Sequence, residues 1–418
     1  MPDIANRSLN LAFVVNGGSG WIAGLHYFQN LFAAIRAAAR EEVNLFVLPG
    51  EETSDEDLSS LRKFNIEILR VPEAMIESPK PQKQSFLDRL LKRNAIGPPR
   101  AVLNLSKEER LGQYLCSRNI HCIFGIGEFG ANFPVPLISW IYDFQHKELP
   151  QMFSAPEIES RDYGFGRMMR YAKMVVLSSN HAASIARIFY PEYKHKLRVM
   201  QFVAQIPEAA FSVDLNDLTK RYSLPEKFVF LPNQFWKHKN HGIVIDALAI
   251  AVKSDPEITL VCSGAKVDYR DETYFPSLEA RIESKNLTDR IRILGMIPET
   301  DVFALMRQSL FLLQPSLYEG WSTVVEQSKS LGKEIILSNL DVHLEQDPPG
   351  ATFFDPSDAN QLASILVSKY RTSKPGPDRA REEKAAAAHA ERSRHYGERF
   401  LEIAQEAAGR LTYASSIN

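Results

Sequence analysis

The chain is short of cysteine. Its 418 residues contain three, Cys116, Cys122 and Cys262, odd in number and scattered. That pattern supplies neither a disulfide framework nor the paired spacing of a zinc site, and it predicts small apolar side chains in a reducing compartment. Long apolar runs are missing too. Those at 10–15 and 228–231 are strand-sized, well short of the roughly 20 residues that cross a membrane as a helix. Neither sign of charge is in excess: Lys and Arg number 49 against 51 Asp and Glu, a formal net charge of −2. No global basic surface exists for a nucleic-acid backbone, and no nucleic-acid partner is expected. The segment from Met1 to Arg7 is polar and lacks the basic start and apolar core of a signal peptide. These absences predict a soluble cytoplasmic protein.

What is present is an average globular composition, 44% hydrophobic and 24% charged, which excludes wholesale disorder and fibrous architectures. At roughly 100–200 residues per domain, the length predicts two to four domains. Short β-type runs alternate with helical stretches. Leu9 to Val15 reads as a buried strand, followed by a glycine turn and a helix over 22–39 with Leu25, Phe28, Leu31, Phe32 and Ile35 on one face. Further strands are expected at 43–48, 66–71, 120–124, 137–141 and 174–177. A second series runs through 228–231, 258–262, 291–294, 310–313 and 334–337. Strands alternating with helices imply right-handed crossovers and a largely parallel, doubly wound sheet. The expectation is α/β: a first domain over 1–205, a second over 206–378, and a terminal helix within 379–418 packing back on the first domain.

One segment departs from this rhythm. Residues 78–110 carry eight Lys or Arg against three Asp or Glu, with four prolines. Phe86 to Leu91 reads either as an amphipathic basic helix for an anionic surface such as the inner membrane, or as a solvated insertion docked by its leucines.

Three places have the residue types for anion or sugar chemistry. Asn16-Gly17-Gly18-Ser19-Gly20 joins the first strand to its helix, where small residues allow close backbone approach and helix N–H groups favour anions. Its spacing is not that of a dinucleotide turn. The stretch 233–241 occupies the same place in the second domain and brings Lys237, His238 and Lys239 beside a helix start, which suits a phosphate. The stretch 315–326 follows a strand. Ser322 is placed to cap a helix from Thr323 to Leu331, with Glu319 in the loop and Glu326 one turn in, both able to accept hydrogen bonds from sugar hydroxyls.

Together these stretches, with Gly24, the flank 338–346 and Phe354-Asp355-Pro356, resemble the retaining nucleotide-sugar glycosyltransferases of family 4, whose fold is GT-B. The resemblance covers both domains and is strongest over 228–366. It implies two Rossmann-like domains that close over a cleft, and a hexose moved from a nucleotide diphosphate sugar, UDP favoured over GDP, to a saccharide or lipid-linked saccharide. It implies no cofactor beyond that donor, and no metal. By the same resemblance Lys239 and the amides around Ser322, Thr323 and Val324 face the diphosphate. Glu326 holds the ribose, Glu319 contacts the sugar, and Gly264, Met296 and Ile297 line the base pocket. Gly17 and Gly18 close over the phosphates, and His146 is the active-site histidine.

Two positions depart from the family pattern. Gln234 stands among the donor-binding residues where the family has an arginine, leaving Lys237 or His238 to substitute. The two glutamates are one residue closer than usual, which bears on Glu319 more than on Glu326. A Rossmann-type NAD(P) oxidoreductase using the glycine turn, and a non-catalytic carbohydrate- or nucleotide-sugar-binding protein, are the alternatives.

Overall fold

The computed structural model describes residues 8–15, 22–39, 42–50, 53–71, 106–126 and 129–410. The glycine turn with Gly17 and Gly18, and the basic segment as far as residue 105, lie outside them.

The described residues form two parallel sheets. The first holds β1 (Leu9–Val15), β2 (Val43–Pro49), β3 (Ile66–Ile68), β4 (Cys122–Gly125), β5 (Leu137–Ile141), β6 (Met174–Leu177) and β7 (Leu197–Val199), in the order β3-β2-β1-β4-β5-β6-β7. The second holds β8 (Val229–Pro232), β9 (Leu260–Ser263), β10 (Ile291–Ile293), β11 (Leu312–Gln314), β12 (Ile335–Ser338) and β13 (Thr352–Phe354), in the order β10-β9-β8-β11-β12-β13. Parallel strands need crossover connections, and the helices that make them cover both faces. The central strands are accordingly apolar on both sides: Phe13, Ile138 and Val176 in one sheet and Phe230, Val261 and Leu312 in the other are buried. In register, Phe13 lies opposite Val47 and Phe124, and Phe230 opposite Val261 and Leu312.

Each sheet reverses its strand order once, between β1 and β4 and between β8 and β11. The connections leave in opposite directions there and open a crevice at the carboxyl edge, the usual ligand position in such sheets. The loops after β8 and β11 are those at 233–240 and 315–322.

The helix Arg379–Ala407 returns to the first domain. A Cβ at Gly397 would lie 2.0 Å from the carbonyl oxygen of Ala34, so only glycine lets this helix pack so closely against Ile22–Ala38. Phe400 then inserts between Phe13 and Phe124, with ring centroids 5.6 and 5.2 Å away. Near its start the same helix contacts the second domain through an Arg307–Glu382 pair.

Two edge strands, β7 and β13, were not expected as strands. Each has three residues.

Candidate functional site

The loops at the second switch point are tied together by buried polar groups. Asn233 Nδ2 donates to Gln314 Oε1 at 2.7 Å, linking the ends of β8 and β11. Leu317 N donates to His238 O at 2.8 Å. Glu319 Oε1 then collects three donors: Lys239 Nζ at 2.6 Å, Gln314 Nε2 at 2.7 Å and Ser316 Oγ at 2.6 Å. Burial pushes the Glu319 carboxyl up, but the Lys239 ammonium and the hydrogen bonds outweigh it and hold the group below its ordinary value. Lys239 and Glu319 thus pair in a cleft of about 910 Å³ between the domains.

The opposite wall comes from the loop after β5. Phe144 N donates to the Tyr318 hydroxyl at 2.8 Å, a buried bond between domains. Gly320 packs against the Tyr142 carbonyl. Asp143 pairs with Arg161 at 3.3 Å, and burial raises its carboxyl, partly offset by that guanidinium.

His146 is not on this wall. Its Nε2 lies 3.0 Å from Asp162 Oδ1, its side chain is fully buried, and its neighbour Gln145 lines the cleft instead. Burial lowers the His146 imidazole despite Asp162.

The helix Thr323–Leu331 corrects a second expectation. Thr323, Val324 and Gln327 line the cleft, whereas Ser322, Glu326 and Ser330, four residues apart, form the buried stripe behind it. Glu326 is 1% exposed and bonds to Gln346 Nε2 at 3.2 Å and Lys329 Nζ at 3.4 Å. Burial raises its carboxyl above the ordinary value. Gln327 stands where a contact to donor hydroxyls was expected from Glu326. Ser322 does not cap with its side chain; its backbone N–H and carbonyl are held by Gln346 at 3.2 and 3.0 Å.

Gly264, Met296 and Ile297 do line the cleft. Gly264 has φ +143°, and a Cβ there would lie 2.3 Å from Asn233 O. Gln234 binds inward: its Oε1 accepts from Ala265 N at 2.5 Å, fixing the loop behind the Gly264 turn.

Neither neighbour replaces the missing arginine charge. Lys237 points away to Asp271 at 3.1 Å, and burial drives the His238 imidazole well below its ordinary value, so it stays neutral. The sequence reading missed the cation that does line the cleft there, Arg270. Its side chain is 7% exposed, pairs with Asp268 at 3.1 Å, and donates to Gln145 Oε1 at 3.3 Å and to His238 Nδ1 at 3.2 Å. Phe153, Trp236 and Tyr269 surround its guanidinium at 5.2–5.7 Å. It sits in no motif, so spacing offered no signal. Among the described residues no group of three His, Cys, Asp or Glu side chains is placed to hold a metal ion.

Residues 219–383 match the family model of glycosyl transferases, group 1. Mannosylfructose-phosphate synthase of Agrobacterium fabrum is 21% identical over 158 residues, 37% of this chain and 35% of that protein. Glycosyltransferase 1 domain-containing protein 1 of Xenopus tropicalis is 21% identical over 225 residues, 49% of this chain and 59% of its own. The chain thus spans about a third and about three fifths of these curated relatives. The structure of Anabaena HepE, solved with UDP-glucose, superposes with a TM-score of 0.59 at 15% identity, covering 96% of this chain and 98% of HepE. The fold is GT-B, and the resemblance to GT-B glycosyltransferases drawn from the motifs extends over both domains.

Proposed function

We propose that this chain is a retaining glycosyltransferase that moves a hexose from a nucleotide diphosphate sugar, with a UDP-sugar as donor, to a saccharide or lipid-linked saccharide. The observation that carries the reading is the Lys239–Glu319 pair at the switch point, facing the first turn of the helix Thr323–Leu331. As the bond to the sugar breaks, negative charge develops on the departing diphosphate. Lys239, Arg270 and the N–H groups of Thr323 and Val324 meet it, in a site where their orientation is already fixed. In this reading no divalent ion is required. Gln327 takes the ribose hydroxyls, Met296 and Ile297 flank the base, and Glu319 orients Lys239 and the transferred sugar. His146 acts behind the wall and touches no substrate. On the first-domain side Tyr27, Trp140, His26 and Asn30 line the cleft and form the acceptor wall.

The HepE complex with UDP-glucose supports a UDP-sugar donor, and the group 1 match supports glycosyl transfer. Among the described residues no helix is long and apolar enough to cross a membrane. We place the protein where nucleotide sugars are made, in the cytoplasm. The test is a panel of UDP- and GDP-sugars with purified protein, with and without EDTA, read by donor turnover and by calorimetric binding. Turnover of a UDP-sugar that survives EDTA is expected. No binding and no turnover across the panel refutes the reading.

A further inference from the structure

The flank 338–346 ends in two adjacent side chains that reach in opposite directions. Glu345 reaches out of the second domain. Its carboxylate accepts from Asn180 N at 2.8 and 3.0 Å, from Asn180 Nδ2 at 2.9 Å and from His181 N at 3.2 Å. Those N–H groups open the first-domain helix Asn180–Phe189, which has no earlier turn to bond them. The side chain of Ser179 takes the next one, Ala182 N, at 3.0 Å. One domain therefore completes the cap of a helix in the other, with an anion at the favourable end of its dipole.

Gln346 reaches inward. Its amide holds both sides of Ser322, accepting from the N–H at 3.2 Å and donating to the carbonyl at 3.0 Å, and also donates to Glu326 at 3.2 Å. Ser322 is the residue from which the helix Thr323–Leu331 starts, and Thr323 and Val324 line the cleft. The two contacts share one short helix, Asp341–Gln346. The same short helix thus carries both the contact to the first domain and the residue that holds the start of the phosphate-facing helix.

We infer that this helix couples domain closure to the geometry of the nucleotide site, with Glu345 as a positioning residue that acts through Gln346. The inference rests on the nucleotide-sugar reading above. When Glu345 is seated on Asn180 and His181, Gln346 holds the N–H groups at 323–324 where the diphosphate meets them. When the domains part, Glu345 loses its donors, and the Ser322 peptide loses a fixed partner.

The test measures UDP and GDP binding to the full chain by calorimetry, alongside thermal unfolding. Wild-type protein that binds neither nucleotide refutes the donor reading, and the coupling with it. With wild-type binding in hand, Glu345→Ala, at a residue that does not line the cleft, weakens affinity about tenfold. Glu345→Gln keeps a carbonyl acceptor for the Asn180 N–H and recovers most of that loss. A merely structural cap would lower the melting temperature and leave the affinity of the folded protein intact. Wild-type affinity in folded Glu345→Ala overturns the coupling. Should that variant not fold, Asn180→Ala combined with Gln201→Ala decides: the pair removes both side-chain donors to Glu345, and unchanged affinity there overturns the coupling equally.

Discussion

Gly320 offers a sharp test of how the two walls meet. A methyl group at this position would lie 2.2 Å from the Tyr142 carbonyl oxygen and 3.0 Å from Asp143 Cβ. Carbon and oxygen approach no closer than roughly 3.3 Å without strain, so Gly320→Ala must push the loops about 1 Å apart. The obstacle is backbone, so no side-chain rotation relieves it. Overpacking of this kind costs roughly 1–3 kcal/mol. The same shift stretches the Phe144–Tyr318 bond from 2.8 Å past hydrogen-bonding range. It carries Asp143 and Gln145 out of line with the second-domain residues. Misplacement by about 1 Å can lower turnover about 100-fold, and kcat should fall more than nucleotide affinity does. Gly166 is the control. It lies within the helix Ala155–Tyr171, and a Cβ there meets nothing within 4 Å. Gly166→Ala should therefore stabilise by up to about 1 kcal/mol through helix propensity and leave turnover alone. Urea denaturation and donor turnover measured on both variants decide the matter. Wild-type turnover and stability in Gly320→Ala would show that the walls do not close as described.

Lys239→Ala leaves Glu319 buried without its cation, which should cost about 3–5 kcal/mol in urea denaturation and abolish UDP binding. Adding Glu319→Gln should restore much of the stability and none of the binding, and recovery of binding would remove Lys239 from the phosphate site. Because burial raises the Glu326 carboxyl, the folded protein holds that proton more tightly than the unfolded chain. Its contribution to stability is full below the ordinary value of 4.5 and is lost as pH rises through the folded value. Glu326→Gln should thus gain stability over wild type as pH rises from about 4.5 to 7, with UDP affinity unchanged. Gln327→Ala should do the reverse, keeping stability and losing about tenfold in UDP affinity, as expected when a hydrogen-bonding side chain is removed from a ligand. Affinity lost at 326 and kept at 327 would reverse the assignment of the two faces.

That pair of residues marks where legibility in the sequence ends. Apolar runs at 9–15, 137–141 and 174–177 announce strands because a parallel sheet buries both faces. A loop between such a strand and a helix is placed at the carboxyl edge by the handedness of the crossover alone. Lys239 and Glu319 were legible in such loops from residue type and position, whereas Gly264, Met296 and Ile297 came from the family resemblance and also line the cleft. Which face a helix presents needs its starting residue and its rotation, and both are set by tertiary partners. Gln346 is 24 positions beyond Ser322, and it fixes that rotation so that 323 and 327 face the cleft while 326 faces the core. A motif read by spacing cannot see this partner. His146 illustrates the same limit: it follows β5 in the short helix Gln145–Glu148, and Asp162, from the helix Ala155–Tyr171, holds its ring behind the wall.

The balance of charge follows from the same geometry. The cations that line the cleft are paired before any donor arrives, Lys239 with Glu319, Arg270 with Asp268 and Arg161 with Asp143. A chain of net charge −2 can therefore hold three buried or half-buried cations in one cleft. Pairing does not cancel their use. Glu319 spends one oxygen on three donors from its own domain, whereas an ammonium has three N–H groups and Lys239 gives one to that oxygen. Asp268, 1% exposed, likewise holds the Arg270 guanidinium in place beneath its aromatic neighbours. The carboxylates hold the cations oriented at the cleft, and in the proposed function the diphosphate meets donors already in position. In the proposed function Arg270, from the loop after β9, takes the place of the arginine absent at 234, a substitution that leaves no trace in the spacing of the motif.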